Sequence, residues 1–392
     1  MFLNMHKSKL AIIIPVYNTA PYLDQCIQSA LDQGVEDFEI HCFENGSTDE
    51  SPQILAEWAT KDKRIIIHTI ANEEWSDIQS VELIGPIECE FLARVDSDDY
   101  LVPGFMAKAL RVLEEERLDI LFFEGEVFYE AQELYDTRNR YYDSAYKYRH
   151  NYDEVTSGIT LFQNLIDNEE FYVSMCMYVI RKEQFFISRP PKLLPRIKRY
   201  GDNYVTALRI LMADRARVLR CVGYNRRIRN DSIMNTIVEA TDVASLLIVV
   251  WELLEFIDSI ALEGCPTFAL AHFVSVLLGQ AVETAESLSE SEGVLWSSLI
   301  REMGKSQAVF ALAVLDRLQS YSKLVISQSK WLDAAVAERE ALRAKSKRQD
   351  VWLDAAVAER EALRAKSKRQ DAWLDAAVAE REALRAKIRR LE

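Results

Sequence analysis

Residues 10–18 read Leu10-Ala11-Ile12-Ile13-Ile14-Pro15-Val16-Tyr17-Asn18, and this stretch decides the fold class. A near-continuous apolar run rich in isoleucine marks a strand buried on both faces, the kind found in parallel sheets covered by helices. Proline at 15 lacks an N–H and ends the ladder, so Tyr17 and Asn18 fall where the chain leaves the sheet. Downstream, Tyr22, Leu23, Cys26, Ile27, Ala30 and Leu31 recur at helical spacing and define one apolar face. A second strand is expected at Phe38 to Glu44, a helix through Leu55 and Trp58, and further strands at Arg64 to Thr69, Phe91 to Val95 and Asp119 to Phe123. Strands alternating with helices predict right-handed crossovers and a mostly parallel α/β sheet between helices. Ligands of such sheets gather at the carboxyl ends of the strands.

Three strand ends carry chemistry. After Phe91–Val95 come Asp96-Ser97-Asp98-Asp99, three carboxylates that repel one another unless a positive charge sits among them. A hard divalent cation, Mn²⁺ or Mg²⁺, suits that oxygen set and leaves room for phosphate oxygens. The same acids also suit the start of a helix before Pro103. Pro15, Val16 and Tyr17 end the first strand, and the Tyr17 ring offers a face for stacking on a base. Glu44 ends the second strand ahead of Asn45-Gly46-Ser47-Thr48-Asp49, where its carboxylate can accept the N–H of a uracil ring.

A strand ending PVYN, a second ending in an acid plus NGSTD, and a later one ending DSDD resemble family 2 glycosyltransferases of the GT-A fold, in order and spacing as well as in words. The resemblance covers roughly Lys9 to Asn235. It implies a nucleotide-sugar donor, with Tyr17 and Glu44 at the base, Pro15 and Val16 lining that pocket, and Asp96, Asp98 and Asp99 at the metal and diphosphate. Arg94 matches a variant of the acidic motif and would pair with those acids or with phosphate. Members invert the anomeric carbon and need one general base; the matching segment is Tyr200-Gly201-Asp202-Asn203-Tyr204, with Asp202 as that base. Arg229, in an arginine-rich segment with Tyr224, Arg226 and Ser232, would clamp the diphosphate. The chain departs from the family between Asn72 and Glu90, where many relatives contact the donor. By analogy the acceptor is a glycan or lipid-linked oligosaccharide of surface polysaccharide synthesis. The alternative is a catalytically inactive nucleotide- or glycan-binding scaffold.

Composition bounds the rest. The 392 residues carry a formal charge of −15, which argues against a nucleic-acid partner. The charge is uneven: residues 330–392 hold 16 basic and 12 acidic side chains, so the acidity lies in the preceding body. Six cysteines without metal or redox spacing read as reduced core residues, which fits a cytoplasmic protein. No signal peptide is evident, and the apolar run Val243 to Ile257 contains Glu252 and Glu255 and reads as a buried helix.

The expected divisions are 1–235, the glycosyltransferase domain; 236–329, a helical domain; and 330–392, an internal repeat. WLDAAVAEREALRAK begins at Trp331, Trp352 and Trp373, a period of 21 or three heptads. Its seam, Leu332, Ala335, Arg339, Leu342, Ser346 and Gln349, is half apolar. A long helix is expected there, serving as a homo-oligomerising coil, a peripheral contact with the inner face of the cell membrane, or a solvated spacer.

Overall fold

The computed structural model describes residues 7–70, 83–131, 146–185, 199–229, 240–260 and 265–286. The 21-residue repeats, Ser232 and the start of the departing segment at Asn72 lie outside them.

Strand β1 (Ser8–Val16) occupies the middle of the parallel half of the sheet, with β2 (Phe38–Glu44) on one side and β4 (Cys89–Arg94) on the other. β3 (Ile65–Thr69) continues the parallel set beyond β2. The expected strands therefore form, and in parallel. Pro15 is tolerated because the last β1–β4 rung is Ile13–Arg94, so its missing N–H falls where β4 has already turned away.

Beyond β4 the sheet is mixed, which differs from the mostly parallel expectation. β7 (Tyr178–Arg181) inserts antiparallel to both β4 and β6 (Ile120–Tyr129). β8 (Ala216–Ile228) then runs parallel to β6 and antiparallel to the two-residue β5 (Tyr100–Leu101). The order is β3-β2-β1-β4-β7-β6-β8-β5. A register irregularity between Phe123 and Gly125 bends the long β6–β8 ladder. The ladder then carries Tyr224 and Asn225 alongside β5, just after the acidic loop.

Alternation on β1 builds two cores. Leu10, Ile12, Ile14 and Val16 face α1 (Ala20–Leu31) and α3 (Phe105–Glu115), with Leu23, Ile27, Met106 and Leu113 fully buried there. Leu55 from α2 (Ser51–Lys61) joins the same cluster. Ala11 and Ile13 face the opposite core, built from α4 (Gly158–Asp167), α6 (Gly201–Leu211), α7 (Ala240–Ile260) and α8 (Thr267–Glu286). Between these helices the single turn α5 (Lys182–Phe185) follows β7. Each fully buried Leu, Ile or Phe side chain contributes about 1.5–3 kcal/mol from transfer alone.

Gly158 opens α4 with its backbone against α6: a Cβ there would lie 1.7 Å from the Ile210 carbonyl oxygen. Val243 through Phe256 of α7 is largely buried, as expected of that run. Among the described residues one helix, spanning Thr267–Ala285, is long and apolar enough to cross a membrane by length and composition. It also contributes Leu270, Phe273, Leu277 and Ala281 to the core, while Phe268 is 92% exposed.

Candidate functional site

The carboxyl ends of β1, β2 and β4 are tied into one surface. The Asn45 N–H donates to the Val16 carbonyl at 2.9 Å, and the Ile70 N–H to that of Glu44 at 2.9 Å. Asn18, at φ 51, accepts the Thr48 N–H on Oδ1 at 2.8 Å and gives its own N–H to Ser47 Oγ at 3.1 Å. Asp49 bridges the two helix starts, accepting the Ala20 N–H at 2.9 Å and the Ser51 N–H at 3.0 Å. Burial alone would raise that carboxyl, but these donors outweigh it and hold its pKa below the usual carboxylate range. Thr19 does not cap its own helix; its hydroxyl donates to Ser97 Oγ at 2.9 Å and links the PVYN turn to the acidic loop.

Around this surface Val16 is buried and Pro15 partly so, while Tyr17 is 43% exposed and presents its ring outward. Glu44 is buried, and its Oε1 accepts the Ser47 N–H at 2.5 Å. The buried Oδ1 of Asn45 beside it has no hydrogen-bond partner among the described residues.

The acids differ sharply in setting. Asp96 has a side chain 44% exposed, and its Oδ1 receives Nε and Nη2 of Arg94, both at 3.0 Å. Arg94 also places Nη1 3.5 Å from Met175 Sδ. Asp98 is 20% exposed and accepts Arg229 Nε on Oδ2 at 2.8 Å. Asp99 is buried at 5%, and both its oxygens are engaged from β8: Oδ2 by the Tyr224 hydroxyl at 2.7 Å and Oδ1 by the Arg227 N–H at 2.6 Å. Burial first, then Asp98 and Asp96, pushes the Asp99 pKa well above the usual range. Asp99 does not cap α3, whose N-cap position is Gly104 in the left-handed conformation.

Asp96 and Asp98 are consequently the two acids that keep an uncommitted oxygen. Asp96 Oδ2 and Asp98 Oδ1 accept no hydrogen bond among the described residues. Two hard carboxylate oxygens beside an exposed surface fit a divalent cation completed by phosphate or water. Among the described residues no group of three or more His, Cys, Asp or Glu side chains is arranged to enclose a metal by itself.

Asp202 lies in the first turn of α6, one residue beyond Gly201, and its Oδ1 accepts the Asn203 N–H at 3.0 Å. The residue before the helix, Tyr200, takes φ 69. The same helix is anchored to β7 by Arg209, whose Nη1 donates to the Tyr178 hydroxyl at 2.6 Å.

Arg227 was not singled out in the sequence. Its guanidinium is stacked 4.7 Å from each of the Tyr22 and Phe128 rings, donates from Nε to the Asp98 carbonyl at 2.8 Å, and from Nη2 to Gln25 Oε1 at 2.6 Å. Arg226, on the other face of β8, bonds the Tyr146 hydroxyl. The available signal was the alternation Arg227–Ile228–Arg229, which sends both arginines to one side of an extended chain. Tyr146 belongs to a wall of tyrosines with Tyr148, Tyr152 and Tyr172. Buried Glu170 fixes that wall by accepting the Tyr152 hydroxyl at 2.7 Å, the Arg149 N–H at 2.7 Å and Arg149 Nε at 3.0 Å.

Residues 11–186 match the family model described as Glycosyl transferase family 2. Among curated proteins the chain is 25% identical over 229 residues to glycosyltransferase GlyA of Streptococcus pneumoniae, covering 57% of this chain and 31% of that one. It is 31% identical over 112 residues to the uncharacterized glycosyltransferase EpsJ of Bacillus subtilis, covering 29% and 32%. The chain thus spans about a third of the length of these curated relatives. Among solved structures it is similar to S. aureus TarS 1–349 in complex with UDP-GlcNAc, with TM-score 0.58 and 19% identity over 78% of this chain and 88% of that one. Sheet order and the likeness to this solved structure agree on a GT-A-like α/β fold followed by C-terminal helices, and the similarity to Glycosyl transferase family 2 lies in residues 11–186.

Proposed function

We propose that the protein is an inverting glycosyltransferase that moves a sugar from a nucleotide diphosphate donor to a glycan or lipid-linked oligosaccharide in surface polysaccharide synthesis. The observation that carries this reading is the convergence of the PVYN, ENGSTD and DSDD loops at the carboxyl ends of three adjacent parallel strands. Tyr17 and Glu44 would receive the base, with Pro15 and Val16 beneath it and the unpartnered Asn45 Oδ1 as a further acceptor. TarS 1–349 was solved with UDP and with UDP-GlcNAc, and a UDP-sugar is the donor class we assign here.

Asp96 and Asp98 would hold Mn²⁺ or Mg²⁺, which when bound supplies Lewis-acid stabilisation of the departing diphosphate. Arg94 and Arg229 would orient the acids and meet phosphate oxygens bidentately. Asp99, closed off by Tyr224 and Arg227, would act by fixing the loop rather than by ligation. Asp202 would accept the proton of the acceptor hydroxyl as the new glycosidic bond forms and the bond to the diphosphate breaks. The repeats at 330–392 would join copies of the chain, which sedimentation with and without them would test.

Donor hydrolysis across a panel of nucleotide sugars, with Mn²⁺ and then with EDTA, tests the assignment. Turnover of one donor that EDTA abolishes supports it. Absence of both turnover and UDP binding would overturn the donor site.

A further inference from the structure

The turn that leads into Asp202 is strained. Tyr200 takes φ 69, a left-handed conformation that a bulky aromatic residue rarely adopts. Such strain persists only where the surroundings over-determine it, and here they are helices that come later in the chain. Arg199 donates from Nη1 to Asp242 Oδ2 at 2.9 Å, and both side chains are 7% exposed. Asp242 lies in the first turn of α7, where the helix dipole favours a carboxylate. The Tyr200 ring packs against the core that α7 and α8 line, and its hydroxyl hydrogen-bonds to Thr284 of α8. Both helices lie beyond the matched residues 11–186.

The turn is coupled to the carboxylate through Asn203. Its N–H is shared between the Tyr200 carbonyl at 3.1 Å and Asp202 Oδ1 at 3.0 Å. Its Nδ2 is shared between the same two oxygens, at 3.2 and 3.3 Å. A peptide that rotates at Tyr200 therefore carries the donors of Asp202 with it.

We propose that the Arg199–Asp242 ion pair is a positioning device, which holds the Tyr200 turn from α7 and so fixes where the Asp202 carboxylate stands. This inference rests on the reading of Asp202 as the general base. A buried ion pair adds little net stability, because desolvation of both charges offsets their attraction, and what it supplies here is direction. A base must meet its proton at hydrogen-bond distance, and a displacement of about 1 Å costs up to about 10²-fold in rate.

The test compares the full chain with Arg199→Lys, and with a double variant, Arg199→Met plus Asp242→Leu, whose apolar pair keeps the space filled. Amide hydrogen exchange over residues 200–203 needs no donor. It is expected to be at least about tenfold faster in the double variant, with β1 and β2 unchanged. Hydrolysis of UDP-glucose, UDP-galactose, UDP-GlcNAc and UDP-GalNAc with Mn²⁺, water standing in for the acceptor hydroxyl, gives the functional readout. The double variant should lose at least about tenfold in kcat, with KM for the donor within about threefold of wild type. Arg199→Lys keeps the ion pair and should stay within about fivefold of wild type in kcat. Added to Asp202→Asn, the double variant should cost less than about twofold more, since a brace that acts through the base has nothing left to act on. Unchanged exchange, an unchanged kcat, or a loss that multiplies in the Asp202→Asn background overturns the inference and leaves the base assignment standing. Asp202→Asn hydrolysing donor as fast as wild type overturns the base assignment, and this inference with it.

Discussion

The Tyr224 hydroxyl donates to Asp99 Oδ2 at 2.7 Å and accepts the Asp96 N–H at 3.2 Å, so one buried side chain on β8 holds both ends of the acidic loop. Tyr224 is itself 1% exposed, and burial raises its pKa well above the ordinary phenol value, which keeps it a donor at all working pH. Removing that single oxygen leaves the buried Asp99 with the Arg227 N–H as its donor. Tyr224→Phe is therefore expected to lower stability by about 1–3 kcal/mol and to weaken Mn²⁺-dependent UDP binding about tenfold. Urea denaturation and titration calorimetry check this, and unchanged values in both would show that the hydroxyl does not organise the loop.

Asp202→Asn keeps the size and the hydrogen bond to the Asn203 N–H while removing the basic lone pair. Transfer to acceptor is expected to fall about 10²–10⁴-fold, with KM for the donor within about threefold of wild type. A parallel fall in donor affinity would mean that Asp202 shapes the donor site instead.

The contact between α4 and α6 sets where Asp202 stands. A Cβ at Gly158 would meet the Ile210 carbonyl oxygen at 1.7 Å, a distance that only backbone movement relieves. Gly158→Ala is expected to destabilise the fold by at least about 2 kcal/mol, as overpacking against rigid backbone does, and to reduce turnover at temperatures where the protein is still folded. A variant with wild-type melting temperature and turnover would show that α6 tolerates the shift.

Glu170 supplies a pH dependence of stability. Burial alone would raise its pKa; the Tyr152 hydroxyl, the Arg149 N–H and guanidinium and the His150 N–H outweigh it and bring the value to about 2. A carboxyl depressed in the folded state stabilises above its unfolded pKa, and that contribution is lost as pH falls through the folded value. Stability should accordingly decline from about pH 4.5 toward pH 2. Glu170→Gln should be less stable at neutral pH and lose less over that interval, measured by urea midpoints at each pH.

The parallel half of the sheet and its three loops were legible because β1, β2 and β4 are buried on both faces, and a doubly buried strand writes itself as an apolar run. β7 was not, since Tyr178–Arg181 is four residues long and nothing local states that it slips antiparallel between β4 and β6. β8 was hidden by its composition: ARVLRCVGYNRRI holds four arginines, and the irregular register beside Phe123–Gly125 interrupts the alternation a strand would show. The acids themselves were visible as a word, but their division of labour was not. That Asp99 is closed off while Asp96 remains open depends on Tyr224 and Arg227, whose approach is a property of the sheet order. His41 and His68 illustrate the same limit, being 27 positions apart yet hydrogen-bonded at 2.9 Å through the β2–β3 register.

The bond between Asp99 and Tyr224 joins positions 125 apart in the chain. Ribosomes add about 5–20 residues per second, so the acidic loop leaves the exit tunnel roughly 6–25 s before the strand that braces it. During that interval the parallel half can condense on its own near-neighbour contacts, whereas the loop waits for a partner of high contact order. The acids are in this sense among the first written and the last set. A nascent chain released before residue 216 would carry the whole DSDD motif without β8, the strand that sorts its carboxylates.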